Sequence, residues 1–355
     1  MMIYFLIMLI AFGLSYAMTP VVRLFGIKMK IMDHPGGRKI HNVPKTRLGG
    51  LSIFISSAVA FYVAYKLHMF SGMYKNEFMG LMIGGSIVFA VGLIDDIIGL
   101  KPHLKLIGQL AAALVVVAYG IRATMFIENI YFASLITVVW IVVITNSFNL
   151  LDNMDGLSAG VGVISCLMFF LVYQRQGLLE INVLLFILMG ALMGFLRFNF
   201  NPSKIFMGDS GSLFIGFLVA GVAVTGTYLE GSRLTHLPVI TPLLILGVPI
   251  FDTLSVVYIR IKEGRSIFSA DKSHFSHRLV SLGMSQKQAV LFIYLVSFCA
   301  GITSMLLPRL NKEDAIVILV QVLVVFAIII LLMVVKEGDL KKRTRKDKET
   351  RGENG

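Results

Sequence analysis

The sequence predicts an all-α polytopic membrane protein with about 11 transmembrane helices, its N-terminus outside and its C-terminus cytoplasmic. Hydrophobic residues make up 57% of the 355 residues and charged residues 15%, against roughly 25% charged in soluble domains. The mean hydropathy is +0.84. Apolar runs recur along the chain and approach the roughly 17 to 25 residues that cross a bilayer as a helix. A transmembrane β-barrel would show alternating segments of about ten residues instead.

The apolar runs predict eleven spans in a single membrane domain, residues 1–335. In chain order they are residues 1–19, 48–66, 78–94, 104–121, 130–145, 157–173, 181–196, 211–228, 239–259, 289–307 and 314–335. The first span is expected to be retained, because no positive n-region precedes it. Cys166 and Cys299 fall inside spans, so no disulfide framework is expected. The basic tail, residues 336–355, is expected to be disordered.

Positive charge predicts the orientation, because cytoplasmic loops retain Lys and Arg. When the loops are numbered from the N-terminus, the odd loops and the C-terminal tail hold 25 of the 32 Lys and Arg residues. Most Asp residues of this face stand beside Gly or Asn at helix ends, which indicates a cation and an anionic substrate. The alternative is that these Asp residues only cap helices.

Two carboxylates, Asp95 and Asp96, end the third span and are followed by Lys101 and Lys105. Adjacent carboxylates repel each other, so at the edge of a low-dielectric region they need a metal, a cation or a shared proton. A structural pair would more naturally join Asp with Arg. The pair therefore favours a functional site on the cytoplasmic face, and Lys101 is predicted to bind substrate there.

A second polar cluster ends the fifth span in the stretch TNSFNLLDNMDGLSAG, residues 145–160. Its amides and carboxylates follow one another by threes at Asn146, Asn149, Asp152 and Asp155. Such positions move round a helix by roughly 60° per step, so they cannot all face lipid. Their oxygens suit Mg²⁺ and their donors suit a sugar or a base. Capping explains one of the four.

Asp209 stands at the start of the eighth span, in NFNPSKIFMGDSGSLFIG, residues 199–216. Free N–H groups at a helix start beside a carboxylate suit a phosphate bridged through a metal. The stretch is not a Walker A loop, because no Gly-Lys-Ser/Thr follows, and it is not a GxSxG elbow.

Two further loops of this face are basic. The loop 260–285 carries cationic and histidine side chains that suit a pyrophosphate or a phospholipid: Arg260, Lys262, Arg265, Lys272, His274, His277 and Arg278. The alternatives are a plain positive-inside loop and a zinc site, which lacks a nearby Cys or third His. The loop 33–50 supplies Arg38, Lys39, His41, Lys45 and Arg47. Asp252, inside the ninth span, is either functional or the partner of a neighbouring Arg.

Together these clusters resemble the polyprenyl-phosphate N-acetylhexosamine-1-phosphate transferases. That family includes the phospho-N-acetylmuramoyl-pentapeptide transferase and the undecaprenyl-phosphate GlcNAc-1-phosphate transferases that begin teichoic acid, O-antigen lipopolysaccharide and related cell-wall polymers. The resemblance covers about Asp33 to Met284 in the patterns RKIHxxPxxRxGG, Asp-Asp, NxxNxxDxxDGL, FMGDxGSLFxG and ADKxHxxHRL. The last pattern is closer to the GlcNAc branch. Two positions depart from the family: Asn153 replaces the first glycine of DGxDG, and Ser276 replaces a histidine of HxHHR.

The resemblance implies a reaction in which a UDP-N-acetylhexosamine and a polyprenyl phosphate give polyprenyl-diphospho-HexNAc and UMP, with Mg²⁺ or Mn²⁺. It implies that Asp209 is the principal metal ligand, with Asp152 beside it, and that Asp95 and Asp96 lie near the lipid phosphate. The other implied contacts are Asn149 and Asp152 at the pyrophosphate and nucleotide, Phe206, Gly208 and Asp155 at the uracil, His274, His277 and Arg278 at the sugar and phosphate, and Arg38, Lys39, His41 and Arg47 at the entrance.

Several alternatives stay open from the sequence. A phosphate monoester has a second pKa near 6, so the polyprenyl phosphate needs positioning more than deprotonation. A covalent route through an Asp nucleophile competes with direct displacement. The sugar could be another N-acetylhexosamine. From other classes, a membrane phosphatase or a secondary transporter of anionic metabolites competes, although transporters bind near the midplane. A homodimer is left open, and no nucleic-acid partner is expected.

Overall fold

The computed structural model describes residues 2–33, 44–70, 75–123, 129–230, 240–266, 273–307, 310 and 313–331. Within these ranges the protein is all-α, as predicted, apart from one two-stranded ribbon. The helices are α1 (Met2–Lys28), α2 (Gly49–Lys66), α3 (Lys75–Ile98), α4 (Pro102–Ala118), α5 (Ile130–Leu151), α6 (Leu157–Gln176), α7 (Leu179–Asn199), α8 (Gly208–Glu230), α9 (Ile240–Ile245), α10 (Gly247–Lys262), α11 (Phe275–Ser281), α12 (Gln286–Thr303) and α13 (Glu313–Leu331). The predicted tail 336–355 lies outside the described residues.

Nine of the described helices are long and apolar enough to cross a membrane, which confirms a multi-pass membrane protein. The two remaining predicted spans correspond to α4, which has 17 residues, and to α9 with α10, which are separated at Leu246. Pro249 accounts for this interruption, because it has no N–H to donate to the carbonyl of Ile245. The total of eleven crossings, the single-domain boundary and the orientation of the termini stay predictions.

The loops that the charge pattern grouped together meet at one end of the helix bundle. The C-terminal ends of α1, α3 and α7, the α5–α6 loop, helix α11 and the N-terminal ends of α8 and α12 contribute residues to one cavity there. The starts of α2 and α4 reach the same end, because the Gly49 N–H donates to the carbonyl of Phe206 and Lys105 contacts Asp209. Polar residues far apart in sequence therefore share one site.

A short antiparallel ribbon closes one side of this end. Strands β1 (Met32–Asp33) and β2 (Lys45–Thr46) pair with Met32 opposite Thr46. The ribbon was not predicted from the sequence. Because the Phe206 N–H donates to the carbonyl of Thr46 over 2.9 Å, the ribbon is joined to the segment that precedes α8.

Helix α8 lies at the centre of the bundle and packs against α2, α3, α5 and α6. Glycines allow its first turn to approach its neighbours closely. A Cβ at Gly50 of α2 would overlap the backbone of Gly211, and one at Gly92 of α3 would overlap the backbone of Asp209. The first turn of α8, which carries Asp209, is consequently packed closely between α2 and α3.

Candidate active site

A cavity of about 780 Å³ lies among these helix ends. Eight of the predicted site residues line it: Arg47, Asp96, Asp152, Asp155, Phe206, Gly208, Asp209 and His277. Carboxylates and cationic side chains share its wall, which suits an anionic substrate bound together with a cation. The predicted entrance residues Arg38, Lys39 and His41 lie outside the described residues.

Asp96 caps the start of α8 from a different helix. Its Oδ1 accepts a hydrogen bond from the Asp209 N–H (2.8 Å), and its Oδ2 accepts from the N–H and hydroxyl of Ser210 (3.0 and 2.6 Å). The first N–H groups of a helix have no partner within the helix, so this carboxylate satisfies two of them. The capping alternative is thus confirmed for Asp96, and the cap also positions Asp209.

Gly208, the residue before Asp209, has both a left-handed backbone and no room for a side chain. Its φ is +75°, and a Cβ there would overlap the carbonyl oxygen of Arg47 and both carboxylate oxygens of Asp96. A side chain would therefore push apart the cap that holds the start of α8.

Replacing Gly208 by alanine is expected to abolish activity and to lower the unfolding temperature more than Gly177→Ala does. Gly177, the C-cap of α6, has nearly the same φ (+78°), but a Cβ added there would meet no atom within 4 Å. Gly177→Ala thus measures the left-handed strain alone, about 1 to 2 kcal/mol. Thermal unfolding of the solubilised protein checks both variants. Equal shifts in the two variants would contradict the overlap at Gly208.

Lys105 bridges two carboxylates at the edge of the cavity. Its Nζ lies 2.7 Å from Asp209 Oδ2 and 3.3 Å from Asp95 Oδ2, while Asp95 Oδ1 accepts from the Leu100 N–H. Oxygens of Asp95, Asp96 and Asp209 lie within 4.8 Å of one another. The repulsion expected for the Asp pair is offset in the structure by a lysine and by a helix start.

Asp152 is the predicted site residue whose carboxylate is least compensated. It is the C-cap of α5 and faces the same cavity as Asp96 and Asp209. Within the described ranges, no hydrogen-bond donor or cationic side chain contacts that carboxylate. Burial, together with the charges of Asp209, Asp96 and Asp155, raises the pKa of Asp152 well above its usual range. A cation bound nearby would relieve this cost.

Asp155 joins the α5–α6 loop to the segment between α7 and α8. Its oxygens accept from the N–H and hydroxyl of Ser203 (2.9 and 2.8 Å) and from Asn201, and Lys45 lies 3.7 Å away. The Lys45 ammonium also lies 4.9 Å from the ring centre of Phe206. Asp155 and Phe206 therefore form one wall of the cavity, and the uracil contact implied for them stays a prediction.

The predicted substrate contacts on α5 and at the start of α4 do not line this cavity. Asn146 exchanges hydrogen bonds with Gln109 of α4, and Asn149 donates to the Ser212 hydroxyl over 3.0 Å. Lys101 is the exposed N-cap residue of α4. The two asparagines thus connect α5 to α4 and α8 and do not face the cavity.

The segment that carries His274 and His277 is held in place by α10. Asp252 Oδ2 lies 2.9 Å from His274 Nδ1, and its Oδ1 accepts from the Phe275 N–H over 2.6 Å. The partner of Asp252 is therefore a histidine where the sequence suggested an arginine. His274 is buried behind the cavity, while His277 lines it.

The two predicted arginines of this segment lie beside other side chains. Arg278 donates to the Ser255 hydroxyl over 2.6 Å, and Arg265 pairs with Glu263. Neither lines the cavity of about 780 Å³. Their contacts with sugar or phosphate stay predictions.

Four cationic side chains line the cavity: Arg23, Lys45, Arg47 and Lys204. Arg23 donates to the carbonyl of Lys204 over 3.1 Å, and Arg47 pairs with Asp33 across the ribbon. Arg23 and Lys204 were not selected from the sequence. Both belong to the positively charged loops of the predicted cytoplasmic face, so the charge count contained the signal but did not distinguish them from other basic residues.

The residues present fit a divalent cation. Mg²⁺ prefers carboxylate oxygens, Asp152 and Asp209 line one cavity, and the Asp152 carboxylate is uncompensated there. The tight oxygen cluster, in contrast, is formed by Asp95, Asp96 and Asp209. Both carboxylate oxygens of Asp96 and both of Asp95 already accept hydrogen bonds, whereas among the described residues Asp209 accepts one only through Oδ2, from Lys105, so Asp209 Oδ1 and Asp152 are the better ligands.

Comparison with known proteins identifies relatives of this chain. The model of glycosyl transferase family 4 matches residues 78–227. A probable undecaprenyl-phosphate N-acetylglucosaminyl 1-phosphate transferase of Bacillus subtilis (strain 168) is 35% identical over 328 residues, which cover 90% of this chain and 87% of the relative. The chain belongs to glycosyl transferase family 4. This confirms the resemblance found in the motifs.

Other relatives of the family are similar over most of their length. The decaprenyl-phosphate N-acetylglucosaminephosphotransferase of Mycobacterium tuberculosis (strain H37Rv) is 31% identical, over 92% of this chain and 88% of the relative. The undecaprenyl-phosphate alpha-N-acetylglucosaminyl 1-phosphate transferase of Escherichia coli (strain K12) is 26% identical, over 76% and 74%. Membership in a transferase family leaves the transporter alternative without support.

Proposed function

We propose that this protein transfers GlcNAc-1-phosphate from UDP-GlcNAc to a polyprenyl phosphate, releasing UMP. The observation that carries the proposal is the cavity at one end of a membrane bundle, in which carboxylates and cationic side chains surround a space of about 780 Å³. A nucleoside diphosphate sugar carries two phosphates, and the acceptor in the proposed reaction is a phosphate on a lipid. The names of the relatives supply the acceptor and the sugar.

In the proposed reaction an oxygen of the lipid phosphate attacks the sugar-linked phosphorus of UDP-GlcNAc. The bond from that phosphorus to the bridging oxygen breaks, and UMP leaves with the electron pair. The acceptor is largely a dianion at neutral pH, since the second pKa of a phosphate monoester is near 6. Catalysis then rests on alignment and on stabilising the transferring phosphoryl group.

The side chains divide this work by their positions. Arg23, Lys45 and Lys204 attract the diphosphate into the cavity, and Lys105 balances the charge of Asp209 and Asp95. Asp96 keeps the start of α8 in place. His277 contacts the sugar side of the donor.

Asp209 and Asp152 would hold a Mg²⁺ ion, which supplies positive charge to the phosphate oxygens as the bond to UMP breaks. Their carboxylates lie on α8 and at the end of α5, so the two helices define the spacing of this pair. Mn²⁺ prefers similar oxygen ligands and is the second candidate.

We infer that the cavity faces the cytoplasm of the plasma membrane. The loops that meet at the cavity belong to the set that, with the tail, holds 25 of the 32 Lys and Arg residues. A cytoplasmic cavity would receive a water-soluble donor from the cytoplasm and the acceptor from the bilayer.

Membranes containing the protein are incubated with radiolabelled UDP-GlcNAc, UDP-GalNAc or UDP-MurNAc-pentapeptide, polyprenyl phosphate and Mg²⁺. We expect label from UDP-GlcNAc to enter lipid with equimolar release of UMP. Preference for another donor would change the sugar and keep the reaction. Release of inorganic phosphate without a need for any UDP-sugar would overturn the proposal.

A further inference from the structure

The two positions that depart from the family patterns, Asn153 and Ser276, are in direct contact. The Ser276 hydroxyl lies 2.5 Å from Asn153 Oδ1, although the residues are 123 positions apart in sequence. Asn153 belongs to the α5–α6 loop and Ser276 to α11. The contact therefore joins the loop that carries Asp152 and Asp155 to the helix that carries His277.

The donor and acceptor in this contact follow from a second hydrogen bond. Asn153 Nδ2 donates to the carbonyl of Leu150 over 2.7 Å, and a carbonyl oxygen can only accept. The amide nitrogen consequently faces Leu150, which leaves Oδ1 to accept from the Ser276 hydroxyl. Because the end of α5 orients the amide, Asn153 presents its oxygen to α11 in a defined direction.

Ser276 is enclosed, and the two residues that precede it are held in place. It is 1% exposed, and the preceding residues His274 and Phe275 are bound to Asp252 of α10. Helix α11 is thus fixed on one side by α10 and on the other by Asn153. Asp152, which precedes Asn153, and His277, which follows Ser276, both line the cavity.

We propose that Asn153 and Ser276 are paired positioning residues that hold His277 on the cavity wall beside the loop that carries Asp152. The pair sets the width of the part of the cavity that takes the nucleotide sugar, and so it sets donor affinity. This inference rests on the proposed function for the identity of the donor. It also accounts for the asparagine in the DGxDG pattern, because a glycine there would leave Ser276 without this partner.

The test is a double-mutant cycle on the full-length protein, in which KM for UDP-GlcNAc and KM for polyprenyl phosphate are measured separately. Asn153→Ala and Ser276→Ala are each expected to raise the donor KM about tenfold and to leave the acceptor KM within about twofold. The double variant is expected to be no worse than either single variant, because both singles remove one shared contact. Ser281→Ala is the matched control on α11, since its hydroxyl is exposed and donates to the carbonyl of Arg278 in the same helix.

A second comparison tests the pairing by restoring the family residues. Ser276→His alone places a ring in an enclosed site and is expected to lose more activity than Ser276→Ala. Adding Asn153→Gly removes the facing side chain and is expected to recover most of that loss. Additive effects in the alanine cycle, equal rises in both KM values or an unchanged donor KM would overturn the inference. A wild-type protein that makes no labelled lipid would instead overturn the proposed function.

Discussion

Replacing Asp209 by asparagine is expected to lower kcat by about 10³-fold. The substitution keeps the size of the side chain and the backbone N–H that donates to Asp96. It removes the negative charge that faces Lys105 and replaces the carboxylate assigned to the divalent cation with a neutral amide, which is a weaker ligand. The fold should therefore persist while stabilisation of the transferring phosphoryl group is lost.

The measurement is UMP release by purified protein across a range of Mg²⁺ concentrations, with unfolding temperature as the check on folding. Glu77→Gln is the matched control, because it makes the same carboxylate-to-amide change in the first turn of α3, at the opposite end from Asp95 and Asp96. We expect it to stay within about twofold of wild type. Asp209→Asn with more than a tenth of wild-type kcat would exclude Asp209 as the principal ligand.

Lys105→Met is expected to lower kcat by about 10²-fold. The ammonium group contacts Asp209 at 2.7 Å and Asp95 at 3.3 Å, and no uncharged side chain can offset the repulsion between those carboxylates. Lys105→Arg keeps the charge and is expected to recover part of the activity. Arginine differs from lysine in shape, so full recovery is not expected.

Lys101→Met is the natural comparison, because Lys101 was predicted from the sequence to lie in the substrate site. Lys101 is exposed at the start of α4 and does not line the cavity. We expect its loss of kcat to be less than about threefold. If Lys101→Met were as damaging as Lys105→Met, the substrate contact predicted from the sequence would be right, and the bridge to the carboxylates would not explain why Lys105 matters.

The membrane architecture was predictable because it depends on composition and local pattern. Apolar runs of sufficient length predict spans without any knowledge of packing, and the described helices follow the predicted runs closely. Among the described residues, the interruption at Leu246 and the two-stranded ribbon were not predicted, nor was the short helix α11. The interruption and the ribbon both arise locally, the first beside a proline and the second in a loop.

The partners of the polar residues were much harder to predict. Asp95 and Asp96 are adjacent in sequence, yet one binds Lys105 and the other caps α8, because successive helical residues point roughly 100° apart. Asn146 and Asn149 share the spacing of Asp152, but they point to Gln109 and Ser212. Spacing along a helix indicates which side a residue occupies, and the neighbour on that side depends on packing.

By itself, the sequence determined an all-α membrane protein, the family and the grouping of the polar loops at one end of the bundle. Consecutive spanning helices must alternate in direction, so loops of the same parity meet on one side whatever the packing. Only the tertiary structure decided that Lys105 bridges the carboxylates, that Asp252 holds His274 and that Asn153 meets Ser276. Each of these contacts joins residues at least ten positions apart in sequence. The distance in space between two such side chains depends on how whole helices pack.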